Sequence, residues 1–350
     1  VIGSGIFGLP AVLAALTGVL SPLAALAAGG GILLIVLCFA EVGSRFREHG
    51  GVYLYARAAY GPLVGFEVGW LLIWTRLLSA AANLNLFVLY LGELWPELAI
   101  GAPRAIVMTA LVATIAVTNV VGVRSATWSI DAFTIAKLVP LALLIVLGLP
   151  QVDGEVIATQ AVADPDWTQA VLVMMFAFGG FESALLPAGE MRDPKRDIGF
   201  ALLVGLAVIA TVYLLVQLVV IGTVAHAGET KAPLAQALGV LLGPPGVVLA
   251  SVAAMISVYG WTTGATLAQP RVIHAMAERG ELPAPLARVH PRFRTPHWAI
   301  VVFAVIALGL ALAGSFAANA TFSAIVRLVY YALTCAALIV LRRRAGEAPG

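Results

Sequence analysis

Ten apolar runs, each close to the length that crosses a bilayer, constrain this chain more than any other feature. A helix needs roughly 20 apolar residues to span the hydrocarbon core. The runs lack the period-two alternation of barrel strands, so they predict helices. Only 11% of the residues are charged, against roughly 25% in a soluble domain. The predicted spans are 1–17 (the first half expected to be missing), 20–41, 63–91, 103–122, 130–149, 168–188, 198–224, 246–268, 297–314 and 319–341.

The basic residues sort to one side when the ten spans are threaded alternately across a membrane. Fifteen of the 20 Lys and Arg fall in loops on that side. Basic loops stay in the cytoplasm, so the pattern predicts a multi-pass protein of the cell membrane with these loops inside. The net charge of +2 then sums two opposed faces and gives no indication of nucleic-acid binding. The excess of Arg over Lys favours a bacterial source. The inner loops hold Arg45, Arg47, Arg57, Arg124, Arg192, Lys195, Arg196, Arg271, Arg279, Arg288, Arg292, Arg294, Arg342, Arg343 and Arg344.

The rest of the composition indicates one transmembrane domain, 1–350, without enzymatic chemistry. No polar stretch is long enough for a separate soluble domain. Cys38 and Cys335 lie in apolar runs and form neither a disulfide framework nor a metal-ligand pattern. No nucleophile–base pair or paired carboxylates point to an enzyme, and we expect no cofactor. The chain begins without an initiator Met, so we expect it to be a piece of a longer protein, shortened at both ends.

Three shorter segments are predicted to form helices that do not cross the membrane. Segment 50–61 is short and aromatic, which indicates an amphipathic or re-entrant helix at the inner face. Segment 269–296 is the longest polar stretch, and its apolar stripe of Val272 and Met276 predicts an interfacial helix. Segment 229–243 is expected to hold a short helix outside.

Glycine interrupts two of the spans at corresponding places. The first break is at 3–8, Gly-Ser-Gly-Ile-Phe-Gly, and the second is at 178–180, Phe-Gly-Gly, in span six. Each half has five spans, an odd number. The second half therefore has the opposite orientation in the membrane to the first. The pattern therefore predicts an all-α integral membrane protein with a 5+5 inverted-repeat, LeuT-like transporter fold, in which helices 1 and 6 are broken. The two repeats would be 1–149 and 168–341.

Four motifs in order and spacing carry a family resemblance. Together they resemble the amino acid–polyamine–organocation (APC) superfamily of permeases nearly end to end. The resemblance implies an amino acid transporter in which helices one, two, six and seven form a mobile bundle. The motifs are 3–8 (GSGIFG), 50–55 with 60–62 (GGVYLY, YGP), 178–182 with 189–196 (FGGFE, GEMRDPKR), and 276–283 with 295–296 (MAERGELP, TP).

Broken helix ends suit a zwitterion such as an amino acid. The N–H groups of the first break can hold the carboxylate, and the carbonyls of Phe176, Ala177 and Phe178 can take the ammonium. The resemblance implies the same assignment. The alternative is that the glycines only let helices pack closely. The candidate substrate-binding residues are Gly3, Ser4, Gly5, Ile6, Phe7, Phe176, Ala177, Phe178, Gly179 and Gly180.

Two ionisable residues inside spans are candidates for further roles. Lys137 lies in span five, and the resemblance to proton-coupled members implies that it takes the place of a sodium ion beside the first break. We therefore predict that Lys137 couples transport to protons; the alternative is that it snorkels to the inner surface. Glu182 is predicted to gate, relay a proton or meet a cationic substrate, the alternative being a structural carboxyl.

Four more residues in the spans have open roles. Arg76 and Arg327 are charges within spans that can pair with Glu67, with Glu182 or with groups near each other, and the sequence does not choose among these partners. Arg327 also lies near enough to the outer face to snorkel. Phe176 is expected to close over the substrate, and Phe181 to be a packing residue.

The function predicted from these observations is proton-coupled secondary transport of amino acids by alternating access. An amino acid/product exchanger is the nearest alternative, and a substrate-sensing protein with a transporter fold is a more distant one. The Gly179–Gly180 pair is expected to leave room for a side chain, and the few carboxylates favour neutral or broad specificity. The expected partners are an amino acid substrate and membrane lipid, and we expect no nucleic acid. The protein is expected to be a monomer or a homodimer.

Overall fold

The computed structural model describes residues 3, 5–46, 51–122, 126–182 and 194–345. Across these residues the chain is helical, with no strand among them. This confirms the predicted all-α membrane fold. The helices are α1 Gly5–Thr17, α2 Ser21–Ser44, α3 Gly51–Tyr60, α4 Pro62–Gly92, α5 Gly101–Val121, α6 Ala126–Gly148, α7 Gly154–Ala158, α8 Trp167–Phe178, α9 Pro194–Thr223, α10 Pro233–Leu242, α11 Pro244–Glu278, α12 His297–Ala313 and α13 Phe316–Ala345.

Six helical segments of the described chain are long and apolar enough to cross a membrane. The segment Gly5–Ser44 covers α1 and α2 and therefore two of the predicted spans. Three further predicted spans fall on shorter apolar helices, at Lys137–Gln151, Trp167–Phe178 and His297–Ala313. Each of the ten predicted runs thus coincides with an apolar helix, while the inverted-repeat relation of the two halves stays a prediction.

Helix α4 is the centre of a scaffold against which α3, α11, α12 and α13 pack. It starts after Gly61, whose φ of +93° is accessible to glycine, and Pro62 opens its first turn. Its polar side chains bond back to the helix, as Asn83 does to the carbonyl of Ser79 at 2.9 Å. Polar side chains on α4 can therefore be buried, because the helix backbone supplies them with hydrogen-bond acceptors.

A second group of helices, α1, α2, α8 and α9, packs together beside this scaffold. On α2 the buried residues recur every three to four positions, which places them on one face. Small residues at one end of that face let α2 approach α8 and α9 closely. We call this group the bundle and the α4 group the scaffold. The buried face comprises Ala24, Ala25, Ala28, Ile32, Val36 and Phe39.

The predicted break in span six is confirmed. Helix α8 ends at Phe178, inside the predicted span 168–188, and Gly180 has a φ of +103° that a residue with a side chain rarely adopts. The described part of α1 starts at Gly5. The predicted first break includes Ser4, which lies outside the described residues, so the structure does not test it.

Two of the three shorter helices predicted from the sequence are present, and the third is not. Helices α3 and α10 are present as predicted. The interfacial helix predicted within 269–296 is wrong, because α11 continues without interruption to Glu278. The apolar stripe that suggested it packs on protein instead: Met276 is 2% exposed and clusters with Ile73 and Leu77 of α4.

A polar network joins α3 to the loop that follows α11. The Arg57 guanidinium lies 3.0 Å from Glu281 and donates to the Tyr53 hydroxyl at 2.8 Å. Arg279 donates to the same hydroxyl at 2.6 Å and lies over the Tyr53 ring. These contacts hold α3 against the scaffold.

Candidate functional site

A small cavity of about 30 Å³ lies where α1 begins and α8 ends. Five helices meet around it: α1 and α8 of the bundle, and α4, α11 and α13 of the scaffold. Residues from both predicted breaks contribute to its wall. The lining residues are Gly3, Gly5, Arg76, Ser79, Asn83, Phe176, Ala177, Gly179, Trp261 and Arg327.

The start of α1 touches the backbone of α8. A Cβ built on Gly5 would lie 3.2 Å from the Cα of Ala177, which is tighter than ordinary contact. Glycine therefore permits the close approach that brings the two helix ends to one place. The side chains of Ile6 and Phe7 are buried, at 2% and 0% exposure, and neither residue is part of the wall of this cavity.

The carbonyl end of α8 already accepts hydrogen bonds from side chains. Arg327 Nη1 donates to the carbonyls of Met175 at 3.1 Å and Phe176 at 3.3 Å. The Tyr213 hydroxyl donates to the carbonyl of Ala177 at 2.8 Å. A cation at a helix C-terminus is favourable because the helix dipole is negative there. Two of the three carbonyls predicted to receive a substrate ammonium thus have protein donors.

Arg327 corrects two expectations from the sequence. It is 2% exposed, so it does not snorkel to the outer face. Its guanidinium also fills the space beside Gly179, where a Cβ would overlap the Nη1 atom. The room predicted for a substrate side chain at Gly179 is therefore absent, although a Cβ at Gly180 would meet nothing within 4 Å.

Glu182 is the acceptor of a buried cluster just beyond the second break. Its Oε1 lies 3.0 Å from Arg76 Nη2 and accepts from the Tyr330 hydroxyl at 3.1 Å. Its Oε2 accepts from the Tyr331 hydroxyl at 3.0 Å and from the N–H of Gly180 at 2.9 Å. Of the partners considered for Arg76, the structure selects Glu182. The cluster joins α4 and α13 of the scaffold to the turn after α8.

The two phenylalanines near the second break differ in their surroundings. Phe176 lines the cavity and makes an edge contact with Phe316, with ring centroids 6.2 Å apart. Phe181 packs between Phe39 and Tyr331, with centroids at 5.3 and 5.4 Å, as a packing residue does.

Polar side chains also hold the backbone of α1 and the end of α8. The Tyr90 hydroxyl donates to the carbonyl of Phe7 at 2.6 Å. Gln217 Nε2 donates to the carbonyl of Pro10 at 3.1 Å and to the Ser21 hydroxyl at 2.9 Å. A smaller cavity of about 10 Å³ lies on this side of α1, between α2, α8 and α9. The Phe178 ring makes an edge contact with the Tyr213 ring, with ring centroids 5.2 Å apart.

Lys137 lies half-buried on α6. It is eleven positions after Ala126, about 16 Å along the helix. Helix α6 packs mainly on α9, α10 and α11. Because Ser4 lies outside the described residues, the predicted contact of Lys137 with the first break stays a prediction.

Sequence reasoning missed several tyrosines and amides that support the site. A polar side chain at mid-span, where its hydrogen-bonding groups need partners, is the signal that identifies them. The missed residues are Ser79, Asn83, Tyr90, Tyr213, Gln217, Tyr330 and Tyr331.

Comparison with known proteins agrees with this architecture. The amino acid permease family matches residues 1–349. The serine/threonine exchanger SteT of Bacillus subtilis is 31% identical over 99% of this chain and 81% of its own length. An uncharacterised transporter of Mycobacterium tuberculosis is 29% identical over 97% of this chain and 77% of its own. A methylthioribose transporter of Bacillus subtilis is 27% identical over 99% and 79%. These relatives are transporters rather than enzymes, and the chain belongs to the amino acid permease family of the APC superfamily.

Proposed function

We propose that this protein carries an amino acid across a bacterial cell membrane by alternating access, binding it in the cavity between α1 and α8. The observation that carries the proposal is the meeting of these two helix ends in one buried cavity with polar walls. The cavity as it stands, about 30 Å³, has room for little more than a water molecule, so an amino acid enters it when the bundle and the scaffold move apart. Helix ends supply both kinds of partner that a zwitterion needs.

Within this cavity the substrate carboxylate binds at the first turn of α1, where backbone N–H groups and the positive end of the dipole coincide. The ammonium needs acceptors near the end of α8. Asn83 supplies one, because its Oδ1 is buried and has no hydrogen-bond partner among the described residues. The carbonyl of Ala177, which accepts one bond from the Tyr213 hydroxyl, supplies another through its second lone pair.

Alternating access requires contacts between bundle and scaffold that separate and re-form. Two such contacts lie next to the cavity: the Arg76–Glu182 pair, and the bonds from Arg327 to the carbonyls of α8. Rocking the bundle against the scaffold changes both at once. Phe176, on the cavity wall, then closes over the bound substrate.

Uptake of radiolabelled amino acids into proteoliposomes tests transport directly. We expect accumulation of at least one amino acid above protein-free vesicles, and a higher melting temperature of the detergent-solubilised protein with that same substrate. If the folded protein neither binds nor moves any of the twenty amino acids, the proposal is wrong. Binding without movement would favour the sensor alternative.

We assign proton coupling to Lys137. A lysine amine in a membrane span can gain and lose a proton within the transport cycle, because burial disfavours its charged form. Lys137→Ala should abolish uptake driven by a pH gradient, whereas Lys231→Ala, in an exposed loop, should not. Uptake by Lys137→Ala at the wild-type rate under the same gradient would exclude this role.

Exchange of two substrates is the second candidate, and the serine/threonine exchanger among the relatives favours it. An exchanger cannot reorient its empty binding site. It therefore moves labelled substrate only when unlabelled substrate is present on the other side of the membrane. Net uptake into empty vesicles supports the symporter, and uptake only into preloaded vesicles supports the exchanger.

A further inference from the structure

The cavity contains an imbalance of buried charge. Arg76 and Arg327 are 7% and 2% exposed, while Glu182 is 5% exposed. The carboxylate lies 3.0 Å from Arg76. Among the described residues, no carboxylate oxygen lies within 4 Å of a nitrogen of Arg327. Two guanidiniums therefore line a cavity beside one carboxylate.

Backbone dipoles do not cancel this excess. The carbonyl end of α8 acts on Arg327 as roughly half a negative charge. The first turn of α1, which lines the same cavity, contributes a positive end of similar size. Glu182 attracts both guanidiniums, but one carboxylate balances only one of two buried positive charges, so a cavity with this excess favours an anion.

Two buried polar atoms at the cavity also lack partners. Arg327 Nε has no acceptor and Asn83 Oδ1 has no donor among the described residues, and both side chains line the cavity wall. Buried polar groups in proteins are nearly always satisfied, and a bound ligand is one way to satisfy them. The donor suits a carboxylate, because guanidinium and carboxylate match in shape and charge. The acceptor suits an ammonium.

From this arrangement we infer that the substrate is an amino acid with a carboxylate in its side chain, which carries a net negative charge. The inference rests on the proposed function and narrows it. The side-chain carboxylate binds Arg327, the α-carboxylate binds the start of α1, and the ammonium binds Asn83 Oδ1. It departs from the neutral specificity expected from sequence, because the space beside Gly179 holds a cation instead of being empty.

Matched pairs of probes test the inference. L-aspartate and L-asparagine differ little in size but differ in charge, as do L-glutamate and L-glutamine. A hydrogen bond to a charged group contributes about 1.5–3 kcal/mol, so the acidic member of a pair should half-saturate uptake at a concentration roughly 10- to 100-fold lower. The comparison uses wild-type protein in proteoliposomes and needs no variant.

A substitution then locates the effect. Arg327→Met keeps an unbranched side chain and removes the charge, so it should lose most acidic-substrate uptake and retain or gain uptake of the neutral partner. Arg104→Met removes a guanidinium that bonds Asn85 and lies outside the cavity wall, so its preference should match wild type. Melting temperature and a monodisperse elution profile confirm that each variant is folded.

The outcomes separate this inference from the proposed function. Uptake of neutral amino acids with no preference for the acidic member overturns the inference and leaves transport intact. The inference also fails if folded Arg327→Met keeps the wild-type preference. Failure of wild type to bind or move any amino acid overturns both. An acidic preference that Arg327→Met abolishes and Arg104→Met retains supports the inference.

Discussion

The guanidinium of Arg327 occupies the space that a side chain at Gly179 would need. Gly179→Ala should therefore displace Arg327 from the carbonyls of α8 and strongly reduce transport of the acidic amino acids that Arg327 is proposed to bind. Gly309→Ala is the matched control, because a Cβ there meets nothing within 4 Å and alanine favours a helix by about 1 kcal/mol over glycine. Uptake in proteoliposomes and melting temperature measure the two effects. Wild-type uptake by Gly179→Ala would show that this arrangement is not needed.

The Arg76–Glu182 pair allows a double-mutant cycle. Removing one member of a buried ion pair leaves a charge without its partner and costs about 3–5 kcal/mol. Arg76→Met and Glu182→Gln should each lower the melting temperature markedly, and the double variant should be more stable than the sum of the two losses implies. Arg288→Met, in an exposed loop, should change little. Strict additivity would argue that the pair is not coupled energetically.

The thiols of Cys38 on α2 and Cys335 on α13 neighbour each other and so connect the bundle to the scaffold. A short reagent that links the two thiols should stop transport if these helices separate during the cycle. A cleavable form should restore transport on reduction. Cys38→Ser provides the control, because it can be modified at one thiol only. Full transport by protein whose cross-link is demonstrated by mass would exclude relative movement of α2 and α13.

Glu93, just after α4, predicts a dependence of stability on pH. Burial raises the pKa of this carboxyl, and the nearby charge of Lys231 offsets part of the effect. The folded protein therefore holds the proton more tightly than the unfolded chain, so stability falls as pH rises from the unfolded pKa through the folded one. Glu93→Gln should raise the melting temperature at pH 7 and have a smaller effect at pH 4. An equal shift at both values would contradict this assignment.

The spans and the second break were predictable from local sequence. Apolar runs near 20 residues have few alternatives to membrane helices, and the Phe178-Gly179-Gly180 run weakens a helix wherever it occurs. The end of α11 was not predictable in the same way. The apolar stripe around Met276 is equally suited to a membrane surface and to a protein partner, and only the position of α4 decides between them.

The partners of buried charges required the fold itself. Arg76 and Glu182 are 106 residues apart, and Glu67 was an equally possible acidic partner for Arg76. The carbonyls that Arg327 contacts carry no mark in the sequence, because every residue has one. The positions of ionisable residues within apolar spans therefore identified the charged groups at the cavity. The packing of α13 against α8 determined which groups they contact.

The distance between Arg76 and its partner has a consequence for biosynthesis. Arg76 enters the membrane 106 residues before Glu182 is made, so α4 must be inserted while its arginine has no ionic partner from that residue. An arginine at the centre of a span costs about 2.5–3.5 kcal/mol on insertion. Of the six long segments in the described chain, the one containing α4 is the least hydropathic and the most buried by protein. The stable insertion of α4 in the bilayer therefore depends on later helices. In ribosome-bound chains that stop before Glu182, α4 should be the least stably inserted of the long helices made by then.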